Sequence, residues 1–130
     1  MSFLTRENAI EMVKSAILER KTLQITYQHM GKDKDVVSRK MAPIDLGTTN
    51  IQTMESNKNN LYCFCYDHID KETGVSKPMV HPINIEHIVS IEDAGESFDE
   101  NTIAEINEDN TGYNYRNCQF AIVPERSWFK

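Results

Sequence analysis

The stretch Asn60-Leu61-Tyr62-Cys63-Phe64-Cys65-Tyr66-Asp67 decides how the rest of the chain is arranged. Side chains alternate across a strand, so Tyr62, Phe64 and Tyr66 share one face and Leu61, Cys63 and Cys65 share the other. Both faces are apolar or aromatic, the pattern of a strand buried on both sides, and it predicts the central strand of a sheet. What the stretch alone leaves open is whether Tyr62 and Tyr66 only pack or present hydroxyls to a ligand.

Upstream, Ile10, Val13 and Ile17 recur at helical spacing with Ala9 and Ala16 beside them, and Thr5 can cap, which predicts one amphipathic helix over residues 6–20. Residues 22–29 then alternate as a strand with Leu23, Ile25 and Tyr27 inward, and Gly31-Lys32-Asp33-Lys34 makes a turn. The returning strand, residues 36–43, sets Val37, Arg39 and Met41 on one side. An inward guanidinium needs an acceptor, because an unpaired buried charge is costly. Two readings stand: an ion pair with Asp45, Asp67 or a strand-end carboxylate, or contact with an anionic ligand.

Residues 47–60 turn polar and read as a long loop into the central strand. Downstream, residues 79–85 form a strand that Pro78 and Pro82 push to an edge, with His81 a polar group on the apolar side of Met79, Ile83 and Ile85. A short strand at residues 88–91 precedes an acidic block, in which Asp99 can cap a weak helix over residues 100–106. A last strand is expected within residues 113–123, and Trp128 and Phe129 near the end either dock on the body or serve a partner. One helix followed by five or six short strands predicts a mainly β domain with an N-terminal helix across a small, strongly bent antiparallel barrel.

The 130 residues, 39% hydrophobic, suit one domain over 1–130, with its core at about residues 6–98, an acidic segment at 86–112 and a C-terminal strand and tail at 113–130. No segment approaches the roughly 18–20 apolar residues of a membrane span, and Met1-Ser2-Phe3-Leu4-Thr5-Arg6 lacks a signal peptide's apolar core, so a cytoplasmic protein without membrane contact is expected. Cys63, Cys65 and Cys118 are odd in number and poorly spaced for a disulfide framework, so reduced thiols are expected.

Charge is uneven. Residues 1–85 carry eleven Lys or Arg against ten acids, residues 86–112 nine acids and no base, and residues 113–130 three bases against one acid, for local charges of +1, −9 and +2. Nonspecific duplex binding needs a basic face, so it is not expected, and any nucleic acid contact must be local. With five glycines in the chain there is no phosphate-cradling glycine loop, and neither a nucleophile elbow nor a zinc-protease helix is present. Cys63, Cys65 and His68 fall short of a four-ligand zinc site, and the thiols read as core. No catalytic residue, metal or cofactor is expected; a hydrolase built on His81 is the weakest alternative.

The residues also resemble the WYL domain family, bacterial and phage regulatory modules. The resemblance runs over about residues 8–98. The helix ends Ala16-Ile17-Leu18-Glu19-Arg20-Lys21 and leads into Gln24-Ile25-Thr26-Tyr27; Arg39-Lys40-Met41-Ala42-Pro43 matches the family's Arg-to-Pro element. Leu61-Tyr62-Cys63-Phe64-Cys65-Tyr66 stands where Trp-Tyr-Leu and its continuation fall, and Ile83-Asn84-Ile85-Glu86-His87-Ile88 parallels the closing element, with Ser97-Phe98 after it. Leu61 replaces the family's Trp, Cys63 its Leu, and His81, Asn84 and His87 stand where Arg is common.

The resemblance implies an SH3-like, Sm-like barrel that senses a nucleotide or short nucleic acid fragment and acts by sequestering it or modulating a partner. By position it points to Arg39, Tyr62 and His81, with Tyr66, Lys40, Lys77, Tyr27 and His68 around them. The alternative is a protein-interaction module, of the kind a phage inhibitor uses, whose acidic surface docks on a basic protein; a homo-oligomer is compatible with either.

Overall fold

A computed structural model describes residues 2–29, 35–50, 53–69, 73–110 and 118–126, and statements of absence below refer to these residues. Helix α1, Arg6–Glu19, starts where Thr5 Oγ1 accepts a hydrogen bond from the Asn8 amide at 3.3 Å. It ends where Arg20 turns left-handed, at φ 58°, and donates its amide to the Ala16 carbonyl. The strands are β1 (Lys21–Gln28), β2 (Val36–Leu46), β3 (Thr49–Asn50), β4 (Asn60–Cys65), β5 (Met79–Asn84), β6 (Ile88–Ser97) and β7 (Cys118–Gln119), with α2 at Glu100–Asn110.

Five of the strands form one antiparallel sheet in the order β5-β4-β2-β1-β6, and β3 pairs with β7 separately. The strand at Asn60–Cys65 is indeed buried on both faces, but the middle of the sheet is β2. Strand β4 is instead sandwiched between β2 and the edge strand β5, where Pro82 lacks a ladder donor. The second edge, β6, runs further than the short strand expected, into the acidic block. Its ladder to β1 reaches Lys21↔Ser97, and an edge strand accommodates Glu92, Asp93 and Glu96 by leaving them in solvent.

Connectivity bends this sheet. Only the 3-10 turn Ile85–His87 separates β5 from β6, although they are its opposite edges. Such a turn advances about 2 Å per residue, so the strand ends lie within roughly 10 Å. Four strand spacings of about 4.8 Å would hold the edges of a flat sheet about 19 Å apart. The sheet therefore curls, as expected, but no ladder joins β5 to β6: it is an open curled sheet, not the closed barrel the sequence suggested. The donor missing at Pro82 and the charged outer edge of β6 both oppose closure.

Each face has a core. On one, Ala9, Val13 and Ile17 of α1 cover Leu23, Ile25, Met41, Leu61, Cys63, Ile83 and Ile88. On the other, Ile103 of α2, Phe98 and Phe120 cover Ala42, Ile44, Tyr62, Phe64 and Val80. A bulge in β2 tunes the second face. Pro43 pairs with Cys63 but Asp45 with Tyr62, so Ile44 and Asp45 both turn toward the α2 side. There Asp45, fully buried, accepts hydrogen bonds from Thr48 Oγ1 and from the Ala121 and Ile122 amides at about 3.0 Å, tying the C-terminal segment to the sheet. The strand expected within residues 113–123 is described only as β7; residues 113–117, the 31–34 turn, Trp128 and Phe129 lie outside the described residues.

Candidate functional site

Register decides which predicted site residues meet. The C-terminal end of β1, the N-terminal ends of β2 and β5 and the C-terminal end of β4 all lie at one end of the sheet, because Ile25 pairs with Arg39, Met41 with Cys65 and Cys63 with His81. Cross-strand partners share a face. Arg39, Cys65, His81 and Tyr27 therefore converge on the α1 side, joined by His68 from the turn after β4, whose ring meets that of His81 edge-on at 5.5 Å. His29, which the sequence reading passed over, stacks on Tyr27 at 6.4 Å. Its spacing of two from Tyr27 is the strand period, the signal that could have found it.

Tyr62, Tyr66 and Lys40 face the other way. Tyr62 belongs to the α2-side core; Tyr66 packs edge-on against Phe64 at 5.0 Å and lies under the Lys40 ammonium at 5.1 Å, and Lys40 also pairs with Glu96. The sheet thus stands between Tyr62 and the pair Arg39 and His81. A cleft of about 620 Å³ does open at Tyr62, lined by Thr48, Asn50, Ser56, Asn57, Lys58 and Asn60 among others. Lys77 adjoins the first cluster through its backbone, its amide donating to the His68 carbonyl at 2.8 Å.

The electrostatics of the first cluster are those of an unanswered cation. The described ion pairs are Arg6–Glu86, Arg20–Glu100 and Lys40–Glu96, so Arg39 has no carboxylate partner among the described residues. Asp45 serves Thr48 and the C-terminal segment, and Asp67 accepts from the Lys40 amide at 2.9 Å. What Arg39 does have is Cys65, to which the guanidinium donates a hydrogen bond. Burial lifts the Cys65 thiol above its ordinary range, partly offset by the Asp67 backbone and Arg39, and burial lifts Cys63 further.

Two buried polar atoms beside Arg39 lack hydrogen-bond partners, Tyr27 Oη and His81 Nε2. Burial pushes the Tyr27 hydroxyl up to about 12, against the pull of Arg39. Burial first, then the neighbouring His68, Arg39 and His29, hold His81 down to about 4, so its ring is neutral at pH 7. A half-buried guanidinium, a phenol that stays protonated and a neutral imidazole offer donors without a competing acceptor charge. Such a cluster suits an anion. No group of three or more His, Cys, Asp or Glu among the described residues is arranged to hold a metal ion. Among the same residues, no helix is long and apolar enough to cross a membrane.

Fold and site together define a mainly β module, one open curled sheet with a helix on each face and a cluster of Arg39, Tyr27, His29, His68 and His81 at one end. Neither a family model nor a curated protein matches the chain. Among solved structures it is similar to proteasome accessory factor B/C of Arthrobacter aurescens at 19% identity and a TM-score of 0.46, over 76% of this chain and 13% of that one.

Proposed function

We propose that the protein is a regulatory, ligand-binding module of the WYL type, an SH3-like, Sm-like sheet left open, that recognises a nucleotide or a short nucleic acid fragment. The observation that carries this reading is Arg39, half-buried without a carboxylate partner among the described residues and flanked by the unsatisfied Tyr27 Oη and His81 Nε2. A phosphoryl oxygen supplies the missing acceptor, and the half-buried rings of His29 and His68 offer faces for a base to stack on. Binding acts by sequestering the ligand or by modulating a partner, and no chemistry on the ligand is required. In this reading the ligand contact is Tyr27 and not Tyr62, which faces the α2 side.

Calorimetric titration with mononucleotides and with linear and cyclic oligonucleotides tests this. Binding weakened at least tenfold by Arg39→Met and by Tyr27→Phe, and unchanged by Tyr62→Phe, is the expected result. Absence of heat with every ligand overturns it. The second reading, a protein-interaction module, is favoured by the outer edge of β6, where Glu92, Asp93 and Glu96 are exposed. A salt-sensitive complex with a basic protein, lost when those acids and Asp99 are neutralised but intact in Arg39→Met, would establish it instead.

A further inference from the structure

We infer that the cluster around Arg39 binds its anionic phosphoryl group together with a proton, taken up by His81. The inference rests on the ligand-binding reading above and deepens it: beside the permanent charge of Arg39 stands an imidazole whose charge depends on the ligand. His81 Nε2 is buried and has no hydrogen-bond partner, and the ring is half-buried on the face that carries Arg39. The ionisable groups facing it from the packed elements are Tyr27 and His29 of the β1 end, Arg39 of β2, Cys63 and Cys65 of β4, and His68 of the following turn. No carboxylate is among those acting on it, and its own strand contributes only Met79 and Ile83 on that side.

In the free protein this environment disfavours the imidazolium, because the ring is desolvated and the charges acting on it, His68, Arg39 and His29, are positive. Seating an anion reverses the sign of the local field. An opposite charge within about 4–6 Å raises the pKa of such a group by about one to three pH units, which carries His81 from about 4 to between about 5 and 7. Around pH 6 the free ring is neutral, and the bound ring carries a proton for a fraction of the time that grows from about one tenth to nine tenths across that range. The proton comes from solvent, and no covalent bond forms or breaks. His81 thereby gives the cluster a second charge only when a ligand is present, and it spares the empty protein a second uncompensated cation beside Arg39.

The test uses a uridine dinucleotide, whose bases and single phosphodiester keep a fixed charge from about pH 5.5 to about pH 8. Titration at about pH 6 in two buffers of different ionisation heat gives the protons taken up per ligand bound. Between about one tenth and nine tenths of a proton is expected for the wild type, about half at the middle of that range, and close to none for His81→Gln. Over the same pH range the wild-type dissociation constant falls with pH by up to about tenfold per unit, while that of the variant stays flat. The His81 ring resonances, followed by NMR, titrate at higher pH in the saturated protein than in the free one. Binding without proton uptake, or uptake that persists in His81→Gln, overturns this inference and leaves the ligand-binding reading intact. Failure of the dinucleotide and of every other nucleotide to bind overturns both.

Discussion

Asp45→Ala removes the acceptor on which the C-terminal segment hangs. Three donors converge on that carboxylate: Thr48 Oγ1, the Ala121 amide at 3.0 Å and the Ile122 amide at 2.9 Å. Hydrogen bonds to a charged acceptor contribute about 1.5–3 kcal/mol each, but the amides are only partly buried and regain water when the segment lifts, so the expected loss is about 3–5 kcal/mol. With an m-value near 2 kcal/mol/M for a domain of this size, the urea midpoint falls by about 2 M. Asp45→Asn keeps one carbonyl for the amides and loses about 1–2 kcal/mol. Amide exchange separates local from global effects: Ala121 and Ile122 exchange faster in Asp45→Ala than the amides of β1 and β2. A midpoint within error of the wild type, or full protection of those two amides in the variant, would refute the view that Asp45 holds this segment.

Stability also follows pH through His81. Its folded pKa, about 4, lies below the 6.5 of an unperturbed ring, so the unfolded chain takes up the proton first. The contribution is complete above about pH 6.5 and is lost as pH falls toward 4, by up to about 3 kcal/mol, and urea midpoints of His81→Gln measured over this range lose that part of the slope. Arg39→Met replaces an unanswered guanidinium on an apolar face, so its thermal midpoint rises by the equivalent of about 1 kcal/mol even as nucleotide binding is lost; a destabilised variant would show that the charge is compensated. Gly47 sits at φ 84° with the Lys58 Cα 3.8 Å from where a Cβ would stand, an ordinary contact. Gly47→Ala therefore costs about 1–2 kcal/mol through backbone strain alone, measured by denaturant unfolding.

Features with a local cause are legible in the sequence. The 3.6-residue spacing of Ile10, Val13 and Ile17 and the cap at Thr5 define α1; the period of two in residues 60–65 makes β4 doubly buried and puts Tyr62 and Cys63 on opposite sides; Pro82 sends β5 to an edge; Asp99 caps α2, its Oδ1 accepting from the Asn101 amide at 2.9 Å. Alternation says which residues of one strand share a side, but not which side of a neighbouring strand they join. That depends on register, and register is set by contacts far apart in sequence. Only the tertiary structure paired Cys63 with His81 and Ile25 with Arg39, and so brought His81, Tyr27 and His29 to the guanidinium while leaving Tyr62, Tyr66 and Lys40 across the sheet. The bulge after Pro43, which turns Asp45 inward to the chain's last segment, is likewise a consequence of pairing with β4. Closure is illegible in the sequence for the same reason: the short turn after β5 brings the edges near, but a ladder between them needs donors and register that Pro82 and the charged edge of β6 do not supply.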